Sequence, residues 1–239
     1  AEKMGIDPQK IVMVSVMPCT AKKFEIHRAD EDANGVPDVD IALTTRELAR
    51  MIDRAGIDFR ALADEDFDQP LGGATGGVME AALRTAVHMI TGEDAPSVDF
   101  AEVRGVEGIK EATYEIAGVG PVKVAVASGL ANARDLLQKI QSGEADYQFI
   151  EIMGCPGGCV NGGGQPQVPY GIRNFVDIRA ERAKVLYNLD AKNPLRKSYE
   201  NPDIQELYKN YLGEPGSEKA HHLLHTTYVK RTVNRVYTK

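Results

Sequence analysis

Apolar positions in this chain fall into short unbroken runs and, between them, stretches of helical spacing. Residues 11–17 (IVMVSVM) form a β-branched run that predicts a strand buried on both faces. Residues 39–43 predict a second strand, leading into Thr44-Thr45-Arg46-Glu47, where Thr44 and Glu47 stand at capping-box spacing. The helix that follows carries Leu48, Met51 and Ile52 and runs toward Gly56. Val78, Ala82, Ala86 and Met89 recur at helical spacing and predict an amphipathic helix stopping near Gly92. Residues 122–127 (VKVAVA) predict a strand. A helix through Leu130, Ala133, Leu136, Leu137 and Ile140 follows, with Gly143 suited to end it. Residues 147–153 (YQFIEIM) predict another buried strand.

Strands alternating with helices predict an α/β fold with a largely parallel sheet flanked by helices. After the glycine-rich stretch ending at Gly171 the pattern turns helical: 175–189, 203–212 and 217–224, punctuated by Pro194, Pro202 and Pro215. The reading is an α/β portion over residues 1–171 and a helical tail over 172–239 that wraps around it.

Composition changes this picture little. Of 239 residues, 43% are apolar and 26% charged, as in ordinary globular proteins. The net charge of −7 argues against nucleic acid or an anionic membrane surface as the main partner. No apolar run is long enough to span a bilayer and no secretory signal opens the chain, which reads as cytoplasmic. The opening Ala1-Glu2-Lys3 reads as a cut or processed end.

The cysteines change it more. There are three, so a full disulfide framework is excluded. Cys19 follows one predicted strand (Met17-Pro18-Cys19) and Cys155 follows another (Met153-Gly154-Cys155). Ligands of open α/β sheets bind at the carboxyl ends of strands, so the two thiols are expected to converge. Cys159 stands four residues after Cys155, across Pro156-Gly157-Gly158, a linker able to place two sulfurs on one cluster. The glycines there, and Gly162-Gly163-Gly164, permit close backbone approach. Simple packing of a free thiol is the ordinary alternative, weightier for Cys19 than for the pair. Structural zinc would want four Cys or His ligands, and only His27 lies near a cysteine. His221, His222 and His225 read as surface helix decoration.

Residues 16–25 (VMPCTAKKFE) and 151–166 (EIMGCPGGCVNGGGQP) closely resemble the second and third signature motifs of the iron-only (FeFe) hydrogenases. Residues 73–81 (GATGGVMEA) and the helical tail are similar to that family too. The resemblance implies an H-cluster: a 4Fe–4S cubane joined to a two-iron unit with carbon monoxide, cyanide and a bridging dithiolate. By motif position Cys19 and Cys155 would bind the cubane, and Cys159 would bind it and bridge to the two-iron unit. Lys22 would hydrogen-bond a cyanide, while Met17 and Met153 would pack against the two-iron unit beside Pro18. Lys23 reads instead as a solvated lysine, and Glu25 as a structural acid paired to a nearby cation. The implied activity is reversible oxidation of dihydrogen to two protons and two electrons. The partners implied are iron–sulfur domains or an electron-transfer protein, with ferredoxin or a nicotinamide as acceptor.

Two departures from the family stand out. Its first motif, with the fourth cubane cysteine and a proton-relay cysteine, is expected upstream of residue 1. A glycine-rich loop expected to cover the two-iron unit is missing at Pro70-Leu71-Gly72-Gly73-Ala74. A hydrogen-sensing relative, and a plain iron–sulfur scaffold or carrier, are the competing functions.

Overall fold

The computed structural model describes residues 1, 4–28, 31–33, 35–63 and 74–226. The segment around Gly72-Gly73 lies outside these, apart from Ala74. Two compact units emerge, residues 1–198 and 199–239.

The first unit opens with β1 (Val14–Met17) and the one-turn α1 (Lys22–Glu25). A small hairpin of β2 (Asp32–Ala33) and β3 (Val36–Pro37) follows, then β4 (Ile41–Thr44) and α2 (Thr45–Arg54). Strands β1 and β4 pair in parallel, Val14 opposite Ile41 through Met17 opposite Thr44. The capping box at the start of α2 is formed as its spacing predicts. Thr44 Oγ1 accepts from the Glu47 N–H at 3.3 Å, and the Glu47 carboxylate accepts from the Thr44 N–H at 2.8 Å.

Helix α3 (Gly77–Thr91) ends at Gly92, whose φ of 72° suits a residue without Cβ. Strands β5 (Ile109–Ile116) and β6 (Gly120–Ser128), helix α4 (Leu130–Gln141) and strand β7 (Phe149–Met153) then build the main sheet. Its order is β5-β6-β7, with β6–β7 parallel and β5–β6 antiparallel. The α/β fold expected from the sequence is therefore present, its parallel pairs being β1–β4 and β6–β7. Strand β5 is an antiparallel edge that the apolar pattern does not announce.

Central strand β6 sorts its side chains by the period of two. Val124 and Val126 pack with Met79, Leu83, Phe100 and Val103 under α3. Ala125 and Ala127 face the other way, onto Leu136 of α4. Helix, sheet and helix thus make three layers, and every parallel strand ends toward the same loops.

Two strands are less buried than their apolar runs predict. Val14 and Val16 of β1 are each 45% exposed, because among the described residues β4 is the strand's only partner. In β7 the apolar Phe149 and Ile152 are exposed, whereas Glu151 is buried.

Helix α5 (Tyr170–Arg173) leads to α6 (Ile178–Lys192), which starts at its Asp177 cap rather than at Phe175. Ala183 of α6 packs on Ala74 and Val160. The same helix supplies Asp190 to a buried ionic network with Glu80, Arg84, Asp99, Arg104 and Arg196. Glu80, Asp99 and Asp190 bring three carboxylate oxygens within 4.8 Å of one another, a spacing that would suit a metal ion. Three guanidinium groups already neutralise them, so this is an ion-pair lock. Burial pushes the Asp190 carboxyl up, but hydrogen bonds and charge from Arg84 and Arg196 outweigh it and hold the group below its usual range.

The second unit holds α7 (Pro202–Leu207), a π turn at Tyr208–Leu212 and α8 (Glu218–Leu224), capped by Ser217. The helix expected over 203–212 is thus present, its winding changing from α to π at Tyr208. His221, His222 and His225 are exposed, and the ring centroids of His221 and His225 lie 4.3 Å apart with the planes tilted by 50°. Among the described residues no helix is long and apolar enough to cross a membrane.

Candidate metal centre

All of the site lies within the first unit. Strand β1 ends at Met17 and delivers Pro18-Cys19; β7 ends at Met153 and delivers Gly154-Cys155. The loop after Cys155 is then pinned to the ends of three other segments. Ser128 Oγ, at the end of β6, accepts from the Gly157 N–H at 3.1 Å. The Pro18 carbonyl accepts from the Gly164 N–H at 3.0 Å, and the Gly164 carbonyl accepts from the Arg46 N–H at 3.2 Å, at the start of α2. Arg182 of α6 donates to the carbonyls of Val160 and Pro166.

These ties need glycine. A Cβ on Gly162 would sit 2.0 Å from the Pro18 carbonyl oxygen, and one on Gly164 would meet Thr44 at 2.7 Å. Gly158 has a φ of 89° and a ψ of −166°, a region almost closed to other residues. A Cβ there would also stand 2.5 Å from the Thr75 backbone nitrogen. Gly158→Ala is therefore expected to destabilise the chain by about 1–3 kcal/mol and to lower its iron uptake. Urea unfolding and an iron assay read the two effects.

The three half-buried thiols come into one neighbourhood. Burial pushes the Cys159 thiol up, and Cys19, Cys155 and the Glu151 charge push the same way, while Lys22 opposes them. A bound cation reverses that balance, since thiolates are the ligating form. Cysteine sulfurs are absent from the sets of three donors that gather within 4.8 Å among the described residues. A single tetrahedral ion needs sulfurs about 3.8 Å apart, from bonds of about 2.3 Å. The three sulfurs do not all lie within 4.8 Å of one another, unlike the close set around one such ion.

Lys22 pairs with Glu25, its Nζ lying 2.7 and 2.6 Å from the two carboxylate oxygens. Glu25 thus has the cation partner expected of it, and that partner is Lys22 itself. Lys23 is exposed, as its sequence suggests, yet it is also tied down. It donates to the Ala42 carbonyl at 2.8 Å and pairs with Glu47 at 2.8 Å, tying α1 to β4 and α2. This cation and the Thr44 bonds hold the Glu47 carboxyl down at about 2. Met17 and Met153 are half-buried at the two strand ends, and His27 is exposed.

Glu151 is the residue the sequence reading passed over. Its carboxylate accepts from the N–H groups of Gly76 at 2.7 Å and Met79 at 2.6 Å, capping α3 with a buried anion at the positive end of the helix. A charge in the middle of an otherwise apolar strand was the available signal. Lys110, buried nearby on β5, donates to the carbonyls of Thr75 at 3.0 Å and Gly105 at 3.1 Å. Burial lowers its pKa from 10.5 to about 8, against the opposing charges of Glu151 and Glu107. Between those values the unfolded chain binds more protons than the folded one, so this group makes stability rise with pH from about 8 to about 10.5. Urea unfolding of the native protein and of Lys110→Met at pH 8 and pH 10 should show the rise diminished in the variant.

Fold and thiols together define an α/β protein suited to a metal–sulfur group. Residues 1–163 match the family described as "Iron only hydrogenase large subunit, C-terminal domain", and residues 176–231 match "Iron hydrogenase small subunit". The chain belongs to the iron-only hydrogenase family. It is 51% identical to the NADP-reducing hydrogenase subunit HndD of Solidesulfovibrio fructosivorans, over 97% of this chain and 40% of that protein. It is 45% identical to iron hydrogenase 1 of Clostridium pasteurianum, over 95% of this chain and 41% of that protein. Rat cytosolic iron-sulfur assembly component 3 is 33% identical, over 95% of this chain and 49% of that protein. The chain thus spans less than half the length of these three relatives. Among solved structures, HydA(deltaEFG), from a study of [FeFe]-hydrogenase H-cluster assembly, superposes with a TM-score of 0.76 at 42% identity, covering 96% of this chain and 65% of that one. A variant of [FeFe]-hydrogenase HydA1 from Chlamydomonas reinhardtii gives 0.76 at 41% identity, covering 96% and 66%.

The residues present fit an iron–sulfur group. Three thiols interact in one neighbourhood, two of them on a loop whose glycines approach their neighbours too closely for a Cβ.

Proposed function

We propose that this chain is the cysteine-bearing part of an H-cluster domain and serves a hydrogenase in reversible oxidation of dihydrogen. The observation that carries the reading is the meeting of Cys19, Cys155 and Cys159 in one neighbourhood with Lys22, while Met17 and Met153 end the two strands that deliver the thiols. Cys19 and Cys155 would hold the 4Fe–4S cubane, and Cys159 would hold it and bridge to the two-iron unit with its carbon monoxide, cyanide and dithiolate. When bound, that group supplies the redox and Lewis-acid chemistry.

The protein's own part is holding and shielding. The Pro18 carbonyl anchors the loop that carries Cys159, through Gly164. Lys22 presents three ammonium donors, of which the Glu25 oxygens engage two, leaving one for an anionic cyanide. Glu25 steadies that ammonium. The thioethers of Met17 and Met153 offer soft, apolar contact that keeps water from the two-iron unit. Electrons would pass to iron–sulfur domains or subunits and on to ferredoxin or a nicotinamide, the latter in keeping with the NADP-reducing relative. A cytoplasmic setting suits such a carrier.

The similarity to the rat iron-sulfur assembly component favours one second reading, a cluster-bearing scaffold without the two-iron unit. Such a protein has no use for a cyanide partner at Lys22. Infrared spectroscopy of the matured, oxygen-free protein separates the two. Cyanide and carbonyl stretches are expected; four irons per chain without them would leave the scaffold.

A further inference from the structure

One wholly buried hydroxyl beside the thiol loop has no partner. Thr75 is 0% exposed, and its side-chain oxygen lacks a hydrogen bond among the described residues. Its main chain, by contrast, is tied on both sides. The Thr75 N–H donates to the Gly157 carbonyl at 3.3 Å, and the Thr75 carbonyl accepts from Lys110 Nζ at 3.0 Å. The next N–H, of Gly76, is held by Glu151. A Cβ on Gly158 would stand 2.5 Å from the Thr75 nitrogen and 2.9 Å from Met153 Sδ. Thr75, Met153 and the turn between Cys155 and Cys159 therefore share one wall of the site.

An unpartnered buried hydroxyl is disfavoured by desolvation, and such groups in native proteins point to a ligand or ion that completes them. Valine would fill nearly the same space without that penalty. We propose that the Thr75 hydroxyl donates a hydrogen bond to sulfur of the iron–sulfur group held by Cys155 and Cys159, and so raises its reduction potential. The inference rests on the cluster reading above. A donor to sulfur favours the reduced, more negative state over the oxidised one, and so makes reduction easier. Lys110, Gly157 and Glu151 are positioning groups, since they fix the backbone from which the hydroxyl projects.

The test is a redox titration of the anaerobically loaded protein, followed by electron paramagnetic resonance of the reduced cluster, with iron content measured on the same samples. Thr75→Val and Thr75→Ala are expected to shift the potential downward at unchanged iron content. Thr75→Ser, which keeps the hydroxyl, is expected to stay near the native value. In the metal-free protein, Thr75→Val should not lower the thermal midpoint, because the group it removes has no partner among the described residues. Potentials equal to the native one in either hydroxyl-free variant would overturn the proposal. Failure of the native protein to take up iron would instead overturn the cluster reading beneath it.

Discussion

Replacing Cys159 by Ser is expected to cut dihydrogen turnover in the matured protein by more than about 100-fold, because even groups that merely support a metal ligand contribute about 10–100-fold. The reason is chemical rather than steric. A serine hydroxyl is nearly the same size but a hard donor that does not ionise near neutrality, whereas iron–sulfur clusters select soft thiolates. Position 159 is sensitive because Cys19, Cys155 and the buried Glu151 charge all act on it. Iron per chain and hydrogen evolution from a reduced dye should fall together. Cys19→Ser is expected to lose cluster iron in the same assay, although Cys19 lies far from Cys159 in sequence.

The largest effect on stability is expected at Arg84, outside the thiol loop. Its guanidinium uses all five N–H donors. Nε donates to the Val98 carbonyl at 2.7 Å. One terminal nitrogen reaches Asp190 at 3.1 Å and the Arg196 carbonyl at 2.7 Å, and the other reaches Glu80 at 2.9 Å and Asp190 at 3.1 Å. Arg84, Glu80 and Asp190 are each at most 2% exposed. Arg84→Met removes the cation and leaves buried carboxylates short of charge, at an expected cost of about 3–5 kcal/mol. Arg84→Lys should recover only part of this, since one ammonium cannot span partners on α3, α6 and two loops. Urea unfolding of the three proteins measures both differences. The network joins α3, whose first turn Glu151 caps, to α6, which holds the thiol loop through Arg182. Its loss should therefore loosen the site from behind.

Much of this was legible in the chain. The capping box at Thr44 and Glu47, the stop at Gly92 and the strand at 122–127 all appear where local pattern places them, because each is set by neighbours in sequence. The placement of Cys19 and Cys155 just past strand ends was legible too, although their strands lie in different sheets, β1 beside β4 and β7 beside β6. What escaped was set by distant partners. Strand β5 alternates too weakly to announce itself, and becomes a strand by pairing with β6. Lys23 is solvent-facing as read, but its partners Ala42 and Glu47 come from beyond the β2–β3 hairpin. Glu151 looked like one more letter of a motif, yet its partners lie more than 70 positions earlier. The burial of β1 was overestimated because an unbroken apolar run reports what a strand is suited to touch, and the described residues supply only β4.

Anomalous diffraction at the iron edge, from crystals of the loaded protein grown without oxygen, tests the common metal centre most directly. A compact multi-iron peak within bonding distance of the sulfurs of residues 19, 155 and 159 is the expected result. A peak bound only by the 155/159 pair, with the first sulfur standing apart, or a lone mononuclear ion, would contradict it.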